Sequence, residues 1–138
     1  MTDEDPRDRA PGRIEYAVAS DYGVVVETWL GVITRDVLLD HWRTSLADPR
    51  VLALKRTLVD LRDCEAQFSG EEWVRMIESC LLGKPHLVGW KTAIVVDQPQ
   101  LHGIARQFLG HAAEVIHGEL FEHIDQALAW LRRRDEVA

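Results

Sequence analysis

KRTLVDLRDCEAQFSGEEW, residues Lys55–Trp73, reads as a buried strand, a polar turn and a capped amphipathic helix. Leu58, Val59 and Leu61 supply the apolar run, and Asp60 and Arg62 bring charge to its end. Ser69 stands three residues before Glu72, the spacing of a capping box. A strand that feeds a helix in this way is half of a parallel crossover, because a parallel neighbour needs a long return connection. In open α/β sheets such junctions are where ligands and partners are met, since helix N-termini and polar side chains converge there.

Upstream, Ile14, Tyr16 and Val18 occupy alternate positions, and Val24, Val26 and Thr28 do the same after Asp21-Tyr22-Gly23. Two alternating runs joined by a short glycine-containing turn predict a β-hairpin. Gly31 is expected to end the second strand, and Thr34 to cap a helix carrying Val37, Leu38, Trp42, Ser45 and Leu46 on one face. Asp48-Pro49 is expected to stop that helix, since the residue before a proline is pushed out of the helical region.

Downstream, Trp73, Met76, Ile77, Cys80 and Leu81 recur at helical spacing, and Gly83 and Pro85 close that helix. Lys91–Asp97, KTAIVVD, is a short β-branched run of the kind that parallel strands use. Pro99 opens a helix with Leu101, Ile104, Ala105, Phe108 and Leu109 on its apolar face. A last strand is expected at Glu114–His117, then a helix from about His123 that buries Ile124, Ala127, Leu128 and Leu131. It ends in Arg132, Arg133 and Arg134, cations suited to a helix C-terminus. The pattern is α/β: a mixed five-stranded sheet, an N-terminal antiparallel hairpin followed by parallel crossover units, with about four helices.

The 138 residues fit one domain over residues 13–134, between a charged N-terminal tail, 1–12, and a short C-terminal one, 135–138. A chain of this size buries about 68–70% of its unfolded surface, enough for a core without metal or disulfide staples. Sixteen Lys and Arg against 23 Asp and Glu give a formal net charge of −7, which disfavours nucleic acid and anionic membrane surfaces as partners. Cys64 and Cys80 are the only cysteines and form no CxxC, so neither a disulfide framework nor a structural zinc is indicated. The opening MTDEDPRDRAPG has no apolar core of a secretory signal, and nowhere is there an apolar run of about eighteen residues. A cytoplasmic protein without a transmembrane segment is the expectation.

GVVVETWLG, the helix ending at Asp48-Pro49, TLVDLRD, KTAIVVD with its proline-led helix, and ELFEHIDQALAWL together resemble the SpoIIAA-like, STAS-type domains of bacteria. The resemblance runs from about Tyr16 to Leu131. It implies the topology of anti-sigma-factor antagonists, which is also similar to that of CRAL-TRIO-type lipid-exchange domains. In the antagonists a serine of a DSSG motif at a helix N-terminus is phosphorylated by a partner kinase. Ser69, in FSGEE, stands at the matching position; Ser69 and Gly70 are kept, Phe68 replaces the preceding Asp, and Glu71 and Glu72 follow. Two adjacent carboxylates oppose a phosphoserine. Helix capping, worth about 1 kcal/mol, accounts for the Ser69 and Glu72 pair by itself, so it is the favoured reading, with Ser69 kept as a candidate phosphosite.

Asp60, Arg62, Asp63, Asp97 and His102 are expected to gather at the carboxyl edge of the sheet. Carboxylates near an imidazole can do acid and base work if burial shifts their pKa values. No nucleophile elbow, Gly-rich phosphate loop or HExxH spacing accompanies them, so a structural Asp60–Arg62 network is favoured and no catalytic residue is assigned. His111, His117 and His123 recur at intervals of six, which fits neither one helical face nor a ligand set; no metal and no cofactor is expected. Cys64 is a poor nucleophile, because Asp63 and Glu65 beside it raise a thiol pKa.

Five tryptophans remain: Trp29, Trp42, Trp73, Trp90 and Trp130. Trp42 and Trp73 lie on apolar helix faces and read as core. Around Pro85, Leu81, Leu82, Leu87, Val88 and Trp90 are expected to form an exposed apolar rim, suited to self-association as a homodimer or to a hydrophobic ligand. The functional expectation is a non-enzymatic STAS-like regulatory or protein-interaction module. Its contact edge would comprise Asp60, Arg62, Asp63, Ser69, Gly70, Asp97 and His102. The alternative is a binding domain for an apolar small molecule or lipid, seated at Leu81, Leu82, Leu87 and Trp90.

Overall fold

The computed structural model describes residues 12–133. Five strands lie side by side in chain order: β1 (Arg13–Ala19), β2 (Val24–Thr34), β3 (Arg56–Gln67), β4 (Trp90–Val95) and β5 (Ile116–Phe121). β1 and β2 form the expected antiparallel hairpin, and each later neighbour is parallel. Parallel neighbours need return connections. These are α1 (Arg35–Ser45) with α2 (Pro49–Leu54), α3 (Gly70–Cys80) and α4 (Pro99–His111), while α5 (Ile124–Arg132) follows β5.

Side-chain alternation along the strands sorts the core into two layers. One face of the sheet offers Val25, Trp29, Val59, Leu61, Trp90 and Ile94 to Leu38, Trp42, Trp73, Ile77, Leu101 and Phe108 of α1, α3 and α4. The other offers Val24, Leu58, Ala93 and Val95 to α5 alone, through Ala127, Trp130 and Leu131. The C-terminal carbonyls of α5 have no helical partners and would be costly to bury bare. Lys91, only 4% exposed, donates from Nζ to Trp130 O at 2.8 Å and Arg133 O at 3.2 Å, and sits 4.4 Å above the Trp130 ring. Arg56 donates to Leu131 O beside it. Two cations from the start of β3 and β4 thus complement the negative end of the helix dipole, and they explain why Trp130 is buried.

Several boundaries differ from those expected, each for a local reason. β2 does not end at Gly31: that residue takes φ +74, which glycine tolerates, and after a register shift between Thr28 and Leu30 the strand runs on to Thr34. β3 likewise passes through the expected polar turn, pairing Asp63–Gln67 with Leu30–Thr34. Its polar residues alternate, with Asp63, Glu65 and Gln67 exposed while Cys64 is buried, as in a half-covered strand. Asp48-Pro49 ends α1 but also starts α2, giving five α-helices instead of four. Pro49 occupies the first turn, where its missing N–H costs nothing, and Asp48 Oδ1 accepts from Arg50 N at 3.0 Å. β5 begins at Ile116 and crosses Gly118, where a Cβ would fall 2.1 Å from Leu109 Cδ2, so glycine there lets α4 close on the strand. The tails expected at 1–12 and 135–138, and Arg134, lie outside the described residues except for Gly12. Among the described residues no helix is long and apolar enough to cross a membrane.

Asp48 joins the hairpin to the helical layer. Its Oδ2 accepts from Tyr16 Oη at 3.0 Å and from Arg50 Nη2 at 2.9 Å. The Arg50 side-chain and backbone hydrogen bonds hold its carboxyl at about 2, below the ordinary 3.8. A depressed folded-state pKa stabilises the fold above the unfolded value and loses that contribution as pH falls through the folded one. Urea denaturation should therefore show Asp48→Asn unfolding at a lower midpoint than the wild type at pH 6. The gap should narrow as pH falls from about 4 to about 2; a gap independent of pH would contradict the role assigned to the carboxylate.

Candidate functional site

At the carboxyl end of the sheet, Asp60 is the last β3 residue paired with β4, opposite Val95. Oδ1 of Asp60 accepts from Arg62 N at 3.1 Å and from Nε at 2.9 Å, and Oδ2 accepts from Nη2 at 2.9 Å. Burial pushes the Asp60 carboxyl up, yet the hydrogen bonds and charge of Arg62 outweigh it, and the net shift is downward. Arg62 is held charged chiefly by Asp60, with smaller help from Asp63 and Asp97, and its carbonyl accepts from Gln98 Nε2 at 3.3 Å. Asp60, Arg62, Asp63 and Asp97 are thus brought together. His102 is half-buried on α4, and no hydrogen bond or ion pair links it to Asp60 or Asp97 among the described residues. With Asp60 fully engaged by Arg62, the carboxylate pair is not assembled with an imidazole for proton transfer.

Ser69 and Gly70 are exposed at the start of α3. The capping box is complete: Glu72 N donates to Ser69 Oγ at 3.1 Å, and Ser69 N donates to Glu72 Oε1 at 3.0 Å. That backbone donor is the main cause of a lowered Glu72 pKa. Cys64 lies inside β3, not in a turn; burial first, then Asp60, Asp63 and Glu65, push its thiol up to about 12. At neutral pH it is a protonated, inert thiol. Among the described residues no group of three His, Cys, Asp or Glu side chains is placed to hold a metal ion.

The apolar rim expected on the surface is turned inward. Leu81, Leu87 and Trp90 are buried, Leu82 is half-buried, and of this group only Val88 is exposed. The reason is that Trp90 opens a strand buried along its whole length, and the turn at Pro85–Leu87 folds Leu87 back onto the core. Leu81, Leu87 and Trp90 instead help line a cavity of about 90 Å³ between the sheet and α1, α3 and α4. Its wall is dominated by Trp29, Trp42, Trp73, Trp90, Phe68 and Phe108, with Glu27, Ser45, Thr57 and Thr92 as its polar members. Half-buried Leu46, Phe68, Ile104 and Ile116 bring the cavity to the surface. The rings are mutually ordered: Trp73 stacks on Phe68 at 4.9 Å and on Trp42 at 6.1 Å between centroids, and Phe108 is tilted 5.2 Å from it.

Buried indole N–H groups need acceptors. Trp90 Nε1 donates to Thr57 Oγ1 at 2.9 Å and Trp29 Nε1 to Glu27 Oε1 at 3.2 Å, whereas the buried Trp73 Nε1 has no partner. A second feature escaped the sequence reading: His41 is 7% exposed, with Nε2 3.0 Å from Glu27 Oε1 and its ring edge-on to Tyr16. The ring N–H points off that line, so the contact is one of proximity and charge, not a well-formed hydrogen bond. The signal was present, because His41 falls on the helical stripe of Leu38, Trp42 and Ser45.

No protein-family model matches the sequence, and neither does any curated protein. Among solved structures, the chain is similar to an uncharacterised protein of the DUF3478 family from Shewanella loihica PV-4 that has a SpoIIAA-like fold. The likeness has a TM-score of 0.57 at 15% identity and covers 95% of this chain and 98% of that one. The fold of this protein is therefore SpoIIAA-like, a mixed five-stranded α/β sheet.

If Ser69 serves as a cap, Ser69→Ala should cost about 1 kcal/mol in urea denaturation, whereas Ser69→Asp, an equally good cap, should be nearly neutral. Equal losses for the two variants would show that the hydroxyl does something other than cap.

Proposed function

We propose that the protein is a non-enzymatic SpoIIAA-like binding domain that holds a small apolar molecule between its sheet and the α1, α3 and α4 layer. The observation that carries this reading is the cavity of about 90 Å³ with six aromatic rings in its wall. Close-packed interiors rarely leave voids larger than a water, and apolar cavities of this kind stay dry and accept apolar guests. Ligand sites in folded domains have this composition, a mainly hydrophobic and aromatic lining with a few polar groups. Toluene is a suitable probe. At ten times its Kd it should stabilise the wild type by about 1.4 kcal/mol in thermal unfolding. Ala105→Leu, which adds bulk to a buried wall position, should abolish that gain while leaving the fold intact. Absence of any toluene effect on the wild type would retire the cavity as a binding site.

A second reading, protein contact at the carboxyl edge, is favoured by one observation. Asp63, Ser69, Gly70 and Asp97 are exposed at this end of the sheet, beside the stretch of β3 that continues past its last β4 partner to Gln67. Asp60, Arg62 and His102 would complete that edge, and either another protein or a second copy of the chain would be the partner. In the phosphoswitch version Ser69 is modified, and Ser69→Asp should then change how much partner co-purifies from cells. Unaltered co-purification, with phosphoserine found on other proteins of the same cells but never at Ser69, would end the switch.

A further inference from the structure

Trp73 is the one buried tryptophan of the cavity wall whose N–H is recorded without an acceptor, and it is only 5% exposed. An unsatisfied buried donor forfeits its hydration, so native interiors seldom keep one without a use. The faces of its ring are engaged by Phe68 and Trp42, so the edge carrying Nε1 is where an incoming group has most to add. We infer that the ligand is a neutral single-ring molecule carrying one hydrogen-bond acceptor, which takes the proton of Trp73 Nε1 while its ring packs among the aromatic side chains of the cavity. This rests on the cavity being the binding site.

Three features narrow the class. The volume, about 90 Å³, is below the roughly 150 Å³ of an apolar cavity known to take benzene, so one ring is the limit, its edge reaching the half-buried rim at Phe68 and Ile104. No Lys, Arg or His lines the cavity, and Glu27 does, so a carboxylate or phosphate would be buried without a counter-charge. A carbonyl, ether or ring nitrogen avoids that cost and still accepts a proton. The remaining polar members do not compete for the role, since Thr57 and Glu27 already serve Trp90 and Trp29.

The test is calorimetric titration of the full chain with toluene, acetophenone and benzoate at pH 7. Acetophenone should bind about three- to tenfold more tightly than toluene, the gain expected of one satisfied hydrogen bond, and benzoate should not bind. Trp73→Phe keeps a ring but removes the N–H, and should bring acetophenone down to the affinity of toluene. In case that variant unfolds, the wild type supplies its own check: the Trp73 indole N–H resonance, followed by 15N NMR, should move downfield with acetophenone and not with toluene. Toluene binding without a preference for acetophenone, or a preference that survives Trp73→Phe, overturns this inference and leaves the cavity reading standing. Failure of both neutral ligands to bind overturns the two together.

Discussion

Strand β3 pairs on both sides from Arg56 to Asp60, with β2 and with β4, and the arrangement of every other element follows from keeping those hydrogen bonds dry. Backbone donors buried on both edges must be satisfied by neighbours, and side chains buried on both faces must be covered. Leu58 faces α5 and Val59 faces the opposite layer. The covering of the two faces is unequal. Four helices stand over one and a single helix over the other, so α5 is held by more than apolar contact. Lys91 and Arg56, which lie opposite one another in the sheet, reach the same helix end.

The crowded face has its own consequence. Large, flat side chains pack by stacking and edge contacts, not by filling irregular space as aliphatic ones do. Trp42, Trp73, Phe68 and Phe108 prop the helices above the sheet, and the small residues Ala66, Thr92 and Ala105 around them leave a void. The cavity is therefore a product of the same aromatic cluster that stabilises the layer. The carboxyl edge is different in character. Its charges are spent on one another, Asp60 on Arg62 and Ser69 on Glu72, so it is an ordered and exposed surface.

The hairpin, the parallel crossovers and the capping box were legible because each is written in residues near one another in the chain, as in the alternation of Ile14, Tyr16 and Val18 or the Ser69 to Glu72 spacing. Strand ends were not, since pairing partners decide them. Gly31 and the charged run after Leu61 look like breaks until β2 and β3 are laid side by side. The same holds for the candidate site. Leu81, Leu87 and Trp90 could be grouped as an apolar set from sequence, but whether they face water or a cavity depends on where the Pro85 turn directs them. The Glu27–His41 contact joins residues of different elements and is invisible to local pattern alone, although the buried stripe of α1 contains His41.

The order β1-β2-β3-β4-β5 has a bearing on how the molecule is made. Each strand's neighbour is the next strand in sequence, so no gap has to be held open for a later arrival and loop-closure costs stay small. A nascent chain leaving the ribosome can add one strand and its helix at a time to the free edge of a growing sheet. α5 emerges last, and its docking covers the only face still open, converting a one-sided intermediate with exposed Leu58, Ala93 and Val95 into a finished domain.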